Sequence, residues 1–147
     1  MPVRPILNFP DPRLRLPAAP VTRFDADLRA LAEDLLDTMR AAPGIGITAP
    51  HIGVSSRLVV LELTPGEVRV YTNPVLDQVS RETIRHTEGS VSMPGVTDDL
   101  ERHARIRLRY VDLDGRAQSE DADGLLAVCH QHEIDQLDGI FWIDRLS

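Results

Sequence analysis

The segment CHQHEIDQLDG, Cys129 to Gly139, holds the densest group of side chains that could do chemistry. A His-Glu-x-x-His helix sets two imidazoles on one face, where both reach one zinc ion. The glutamate beside the first histidine then moves protons for the metal-bound water. Here His132 and Glu133 are in place, and Gln136 stands where the second imidazole would be. A glutamine oxygen is a poor zinc donor beside imidazole nitrogen. Taken alone, the segment reads as a buried helix with hydrogen-bonded polar residues.

Two upstream stretches are weak by themselves. GIGITAPHIG, Gly44 to Gly53, has the look of a tight glycine turn. It lacks the lysine and the pattern of a phosphate loop. EGSVSMPG, Glu88 to Gly95, reads as a strand ending in a Pro-Gly turn. The five histidines differ in promise. His51 is expected to face a site. His86 lies two residues before Glu88. His130, two positions from His132 on a helix, points to another side and is expected at the surface or in a supporting role. His103 is expected at the surface. Ser90 is a candidate nucleophile with His51 or His132 as base, although serine followed by valine carries no activation pattern.

These residues need elements to position them. DADLRALAEDLLDTMR has Leu28, Leu31, Ala32, Leu35 and Met39 at helical spacing, with Asp25 as N-cap. The glycine stretch then breaks regular structure. RLVVLEL reads as a buried strand, TPGE as a turn and VRVY as its hairpin partner. NPVL and VSRETIRHTEG are extended. In ARIRLRYVDLDG, Arg105, Arg107 and Arg109 alternate with Ile106, Leu108 and Tyr110, which predicts one solvated face. DLDG turns the chain and RAQSEDA returns. A last helix, capped by Asp123, runs to about Leu137 and ends at Asp138-Gly139. Its stripe Leu125, Val128, Cys129, His132 and Gln136 points inward. The proline-rich NFPDPRLRLPAAPV is expected to lie extended over the surface. A helix, antiparallel strands and a buried C-terminal helix make an α+β domain spanning residues 1–147.

Composition narrows the partners. With 23 acidic and 16 basic residues the net charge is −7, which disfavours a general nucleic-acid binder. No apolar run approaches the roughly 20 residues of a membrane span. The start MPVRPILNFPDPRL is unlike a signal peptide, and the lone Cys129 has no internal disulfide partner. Together these predict a cytoplasmic protein.

The order and spacing of the three stretches resemble the peptide deformylase family. Its motifs are GxGxAAxQ, EGCxS and QHExDHLxG; this chain has GIGITAPH, EGSVS and QHEIDQLDG. The flanks ILNFPDPRLR, NPVL, DLDG, ADGLLAVC and GIFWIDRLS are also similar, so the likeness covers essentially the whole chain. The resemblance implies an enzyme that removes formyl from the initiator methionine of new bacterial proteins. Its metal, usually iron, is held by the second-motif cysteine and the two third-motif histidines. The glutamate is the acid/base. The first-motif glutamine and the backbone N–H after the cysteine hold the oxyanion.

Carried onto this chain, the ligand positions are Ser90, His132 and Gln136. His51 takes the oxyanion glutamine's place, Val91 supplies the backbone N–H, and Glu133 is kept. The implied binding cleft comprises Gly44, Ile45, Gly46, His86, Glu88, Gly89, Leu125, Val128 and Cys129. The family lines its methionine pocket with an apolar residue near position 86. Glu88 is implied to pair with Arg102. Ser90 and Gln136 are expected within reach of His132, tied by hydrogen bonds or water.

Three functions remain open on sequence. The first is a deformylase-like protein with no cofactor expected and little normal activity, still binding N-terminal peptides or a small ligand. The second is an active amidase whose Fe2+ or Zn2+ is held by His51, His132 and Glu133. The third is Ser90 chemistry without metal. Many family members continue past this point with a helix that in some docks on the ribosome; the stop at Ser147 puts ribosome association in doubt.

Overall fold

A computed structural model describes residues 3–145. In chain order, a 3-10 turn Pro12–Arg15 precedes helix α1 (Ala26–Ala41). Strand β1 (Gly46–Thr48) leads into a 3-10 turn, Ala49–Ile52. Then come β2 (Leu58–Leu61), β3 (Arg69–Val79), β4 (Thr83–Ser90), β5 (Met93–His103), β6 (Arg105–Val111) and β7 (Ala117–Asp123). Helix α2 (Gly124–Leu137) and a 3-10 turn, Trp142–Arg145, follow. The strands form an antiparallel five-stranded sheet in the order β1-β2-β3-β6-β7 and a separate two-stranded ribbon, β4-β5. The architecture is α+β. No helix among the described residues is long and apolar enough to cross a membrane.

Strand alternation builds two cores on one sheet. All four residues of β2 are buried. Leu58 and Val60 pack with Leu28, Ala32, Leu35 and Met39 of α1. Val59 and Leu61 point the other way, to Tyr71, Leu108, Cys129 and Leu137 beneath α2. Asp25 caps α1 as expected, accepting from the Leu28 N–H at 3.1 Å. The arginines of β6 lie on an exposed face while Ile106 and Leu108 are buried. The arginines pair there with Glu82, Asp121 and Asp77.

Several expectations need correction. The glycine stretch does contain a strand, β1, whose Gly46 pairs with Leu61. The ribbon's turn falls at Val91 and Ser92, so Met93-Pro94-Gly95 opens β5 instead of ending a strand. Part of the proline-rich segment coils into the Pro12–Arg15 turn, and its Leu14 is fully buried. Asp123 occupies the cap position of α2 but its side chain makes no capping bond. Helix α2 is buried on more than the expected stripe, because it packs against β1, β3, β5, β6 and β7. His130 is accordingly buried. Its Nε2 meets Glu120 at 2.8 Å and its ring stands edge-on to Tyr71. His103 is half-buried, with Nδ1 at 2.8 Å from the Ser80 carbonyl. Leu125 is 40% exposed.

Candidate functional site

Helix α2, the end of β4 and the glycine loop before β1 meet in a cleft of about 590 Å3. The glycine loop contributes Gly44, Ile45 and Gly46. Strand β4 contributes His86, Glu88, Gly89 and Ser90, and the ribbon turn adds Val91. Helix α2 contributes Leu125, Val128, Cys129, His132 and Glu133. The sequence reading missed part of the wall. Ile6 and Asn8 from the N-terminal segment line it, as do Pro94 to Thr97 of β5. No local pattern marks them, since their role depends on chain crossings.

Two glycines are required by close approach. A Cβ on Gly44 would sit 2.7 Å from Val91 Cγ1, so the loop could not lie against the ribbon turn. A Cβ on Gly46 would meet Leu61 Cδ2 at 2.9 Å and Glu133 Oε1 at 3.1 Å. Gly46 thus leaves room for the Glu133 carboxyl beside β1.

A charged network fixes His132. Arg102 donates through Nε and Nη2 to both oxygens of Glu88, at 2.8 and 2.9 Å, and through Nη1 to Asp135 at 2.7 Å. His132 Nδ1 lies 2.8 Å from Glu88 Oε1. Burial raises the Glu88 pKa, but the bonds from Arg102 and then His132 outweigh it and bring the carboxyl down to about 2. An ionised carboxylate only accepts, so His132 donates Nδ1–H and keeps Nε2 free. Burial pulls the His132 pKa down, and the Glu88 bond with the charge of Glu133 raises it further than burial lowers it.

Glu133 has no such support. Its Oε1 is 3.7 Å from His132 Nε2, too far for a hydrogen bond, and its buried Oε2 has no partner. Burial, opposed by the His132 charge, pushes this carboxyl up to about 7. Cys129, also buried in the cleft wall, has its thiol pushed up to about 12 by burial and then by Glu133.

His51 and Gln136 do not line the cleft. The Gln136 amide donates to the Leu14 carbonyl at 3.2 Å. Ser90 lines the cleft, and its Oγ accepts the Ser92 N–H at 3.1 Å. Each of these two side chains thus has a backbone partner, and among the described hydrogen bonds neither bonds His132 directly. His51 is 1% exposed and sits in the turn after β1. Its Nδ1 is 2.9 Å from the Thr48 N–H. A backbone N–H only donates, so Nδ1 carries the lone pair and the neutral ring holds its proton on Nε2. Nε2 is buried without a partner. Burial, followed by the charge of His132, pushes the His51 pKa down to about 3, which keeps the ring neutral. Among the described residues no three His, Cys, Asp or Glu side chains form a group that could hold a metal ion.

A fold with one helix buried against a glycine loop and a two-stranded ribbon, carrying an HE pair beside an EGS strand, defines a recognisable class. Residues 3–147 match the polypeptide deformylase family, and the chain belongs to it. A "peptide deformylase-like" protein of Brucella melitensis is 70% identical over the whole chain and 90% of its own length. Rhizobium meliloti has both a "peptide deformylase-like" protein, 57% identical, and a "peptide deformylase", 46% identical. Each aligns with the whole chain, over 86% and 87% of its own length. The crystal structure of peptide deformylase from Thermotoga maritima superposes with a TM-score of 0.96 at 35% identity, covering 100% of this chain and 99% of that one.

Proposed function

We propose that this chain is a deformylase-fold protein that keeps a peptide-binding cleft, holds no ordinary deformylase metal and has little or no ordinary deformylase activity. The observation that carries this reading is the state of the three ligand positions. Only His132 offers a free nitrogen to the cleft. Gln136 is turned to Leu14 O, and Ser90 offers a neutral hydroxyl in place of a thiolate. That donor set does not fit the family's ion. Family likeness at 70% to a protein named deformylase-like, against 46% to a deformylase proper, supports the same reading.

The alternative ligand set of His51, His132 and Glu133 is disfavoured by the His51 tautomer. With Nδ1 accepting from Thr48, Nε2 carries a hydrogen where a ligand needs a lone pair. Ser90 as a nucleophile is disfavoured because its hydroxyl is engaged with Ser92 N–H and has no imidazole partner among the described hydrogen bonds.

Hydrolysis of a formyl-methionyl peptide by purified protein supplied with Fe2+, Ni2+ or Zn2+ tests the proposal. We expect turnover at least about a hundredfold below that of a deformylase with Cys and two His ligands, since loss of even a supporting contact costs roughly 10–100-fold. Comparable turnover that a chelator abolishes would overturn it.

A further inference from the structure

We propose that His86 makes the apolar end of the cleft selective for a peptide side chain that carries an N–H or O–H donor, over an apolar side chain of the same shape. This rests on the peptide-binding reading above and adds which kind of first residue the cleft prefers. The placement of His86 follows from the ribbon. It pairs with Leu100 across β4-β5, and Leu100 is 2% exposed. Residues opposite each other in an antiparallel pair share a face, so the imidazole stands on the ribbon's inner side. Glu88, two residues further along the strand, lies on the same face and reaches His132 of α2. His86 is half-buried there and lines the cleft with Leu125, Val128 and Cys129 of α2 and Val96 of β5.

The ring's own hydrogen bond fixes what it offers. His86 Nδ1 lies 2.8 Å from the Thr87 carbonyl oxygen. A carbonyl only accepts, so Nδ1 carries the hydrogen and Nε2 of the neutral ring carries the lone pair. Glu88, its neighbour on the same face, is already engaged by Arg102 and His132. Among Ile84, His86 and Glu88, His86 therefore holds the acceptor that no described hydrogen bond uses. An apolar ligand side chain packed against Leu125 and Val128 would strip water from Nε2 and leave it unpaired, which is unfavourable. A hydroxyl or amide N–H in the same place keeps the acceptor paired, as a site built to bond a donor requires. The aliphatic stem of such a side chain still covers the apolar wall.

Calorimetric titration of the full chain at pH 8, above the ordinary imidazole range, with two matched tripeptides tests this. One begins with norleucine. The other begins with 5-hydroxynorvaline, which puts a hydroxyl where norleucine has its terminal methyl. Each is supplied with a free and with a formylated amine, the two are compared within one amine form, and mass spectrometry verifies that the formyl peptides stay intact. We expect the natural protein to bind the hydroxyl peptide more tightly. His86→Leu and His86→Phe remove the acceptor and should reverse the order, moving the ratio of the two Kd values by about tenfold. Thermal melts establish that the variants fold, and the order in the natural protein tests the inference without them. Equal binding or a preference for norleucine in the natural protein overturns the inference and leaves the peptide-binding reading standing. Failure of the natural protein to bind any of the peptides overturns both. A ratio that moves less than about threefold in the folded variants also overturns it. So does a folded variant that binds neither peptide, because position 86 would then hold the cleft open and not read a side chain.

Discussion

On the proposed reading Ser90 and Gln136 stand at two ligand positions of the family with poorer donors, and metal binding should return only when both are changed. Ser90→Cys supplies a thiolate, and Gln136→His supplies a second imidazole four residues from His132 on α2. The frame still brings β4 and α2 to one cleft. We therefore predict that the double variant binds about one Fe2+ or Zn2+ per chain, and that either single change binds much less. Elemental analysis of the three variants checks this. Gln136→His must also give up the bond to Leu14 O, so failure of the double variant would mean the N-terminal crossing now holds position 136 out of the site. His51 gives a second residue-scale prediction. Its folded pKa of about 3 lies below the ordinary value of 6.5. The unfolded chain thus binds the extra proton first as pH falls, and stability drops between 6.5 and 3 by up to about 1.4 kcal/mol per pH unit. Glu133, raised from 4.5 to about 7, has the opposite slope between those two values. His51→Gln removes the first contribution alone. Denaturant melts at pH 5 and pH 7.5 should show the variant losing less stability on acidification than the natural protein.

At the scale of elements, Arg102 joins three of them. It stands on β5 and reaches Glu88 on β4 and Asp135 on α2, with only 5% of its side chain exposed. Removing one partner of such a buried set leaves uncompensated carboxylates, so Arg102→Met should cost about 3–5 kcal/mol. Adding Glu88→Gln should recover part of that loss, measurable by denaturant titration. A loss below about 1 kcal/mol would show the network to be solvated and weak. The elements also show what the sequence could disclose. Helix α1 and strand β6 were legible because their buried faces repeat at 3.6 and 2 residues. Strand β5 was not: Pro94 through Asp99 are exposed on both faces of a two-stranded ribbon, so no alternation is written there. Strand β1 is three residues long, too short to show a period. In α2 the stripe of His132 and Gln136 suggested one inward face, whereas the helix is enclosed on several sides, which put His130 in the core.

For the whole molecule, the site's parts divide by range. The HE pair, the EGS strand and the glycine loop are contiguous segments, and their joining in one cleft followed from the family pattern. The partners that decide the state of the site are distant. Leu14 O and Gln136 are 122 residues apart, and nothing near either residue announces the contact. The Thr48–His51 bond is local, yet only the fold shows that it sets the imidazole's tautomer. The central claim, a deformylase fold without the deformylase ion, is tested most directly by the metal content of the natural protein. The protein should be purified without oxygen from cells supplied with iron and zinc, and iron, nickel and zinc counted per chain by elemental analysis. We predict that the sum falls far below one ion per chain. About one tightly held ion per chain, with an anomalous signal beside His132 Nε2 in a crystal, would contradict it.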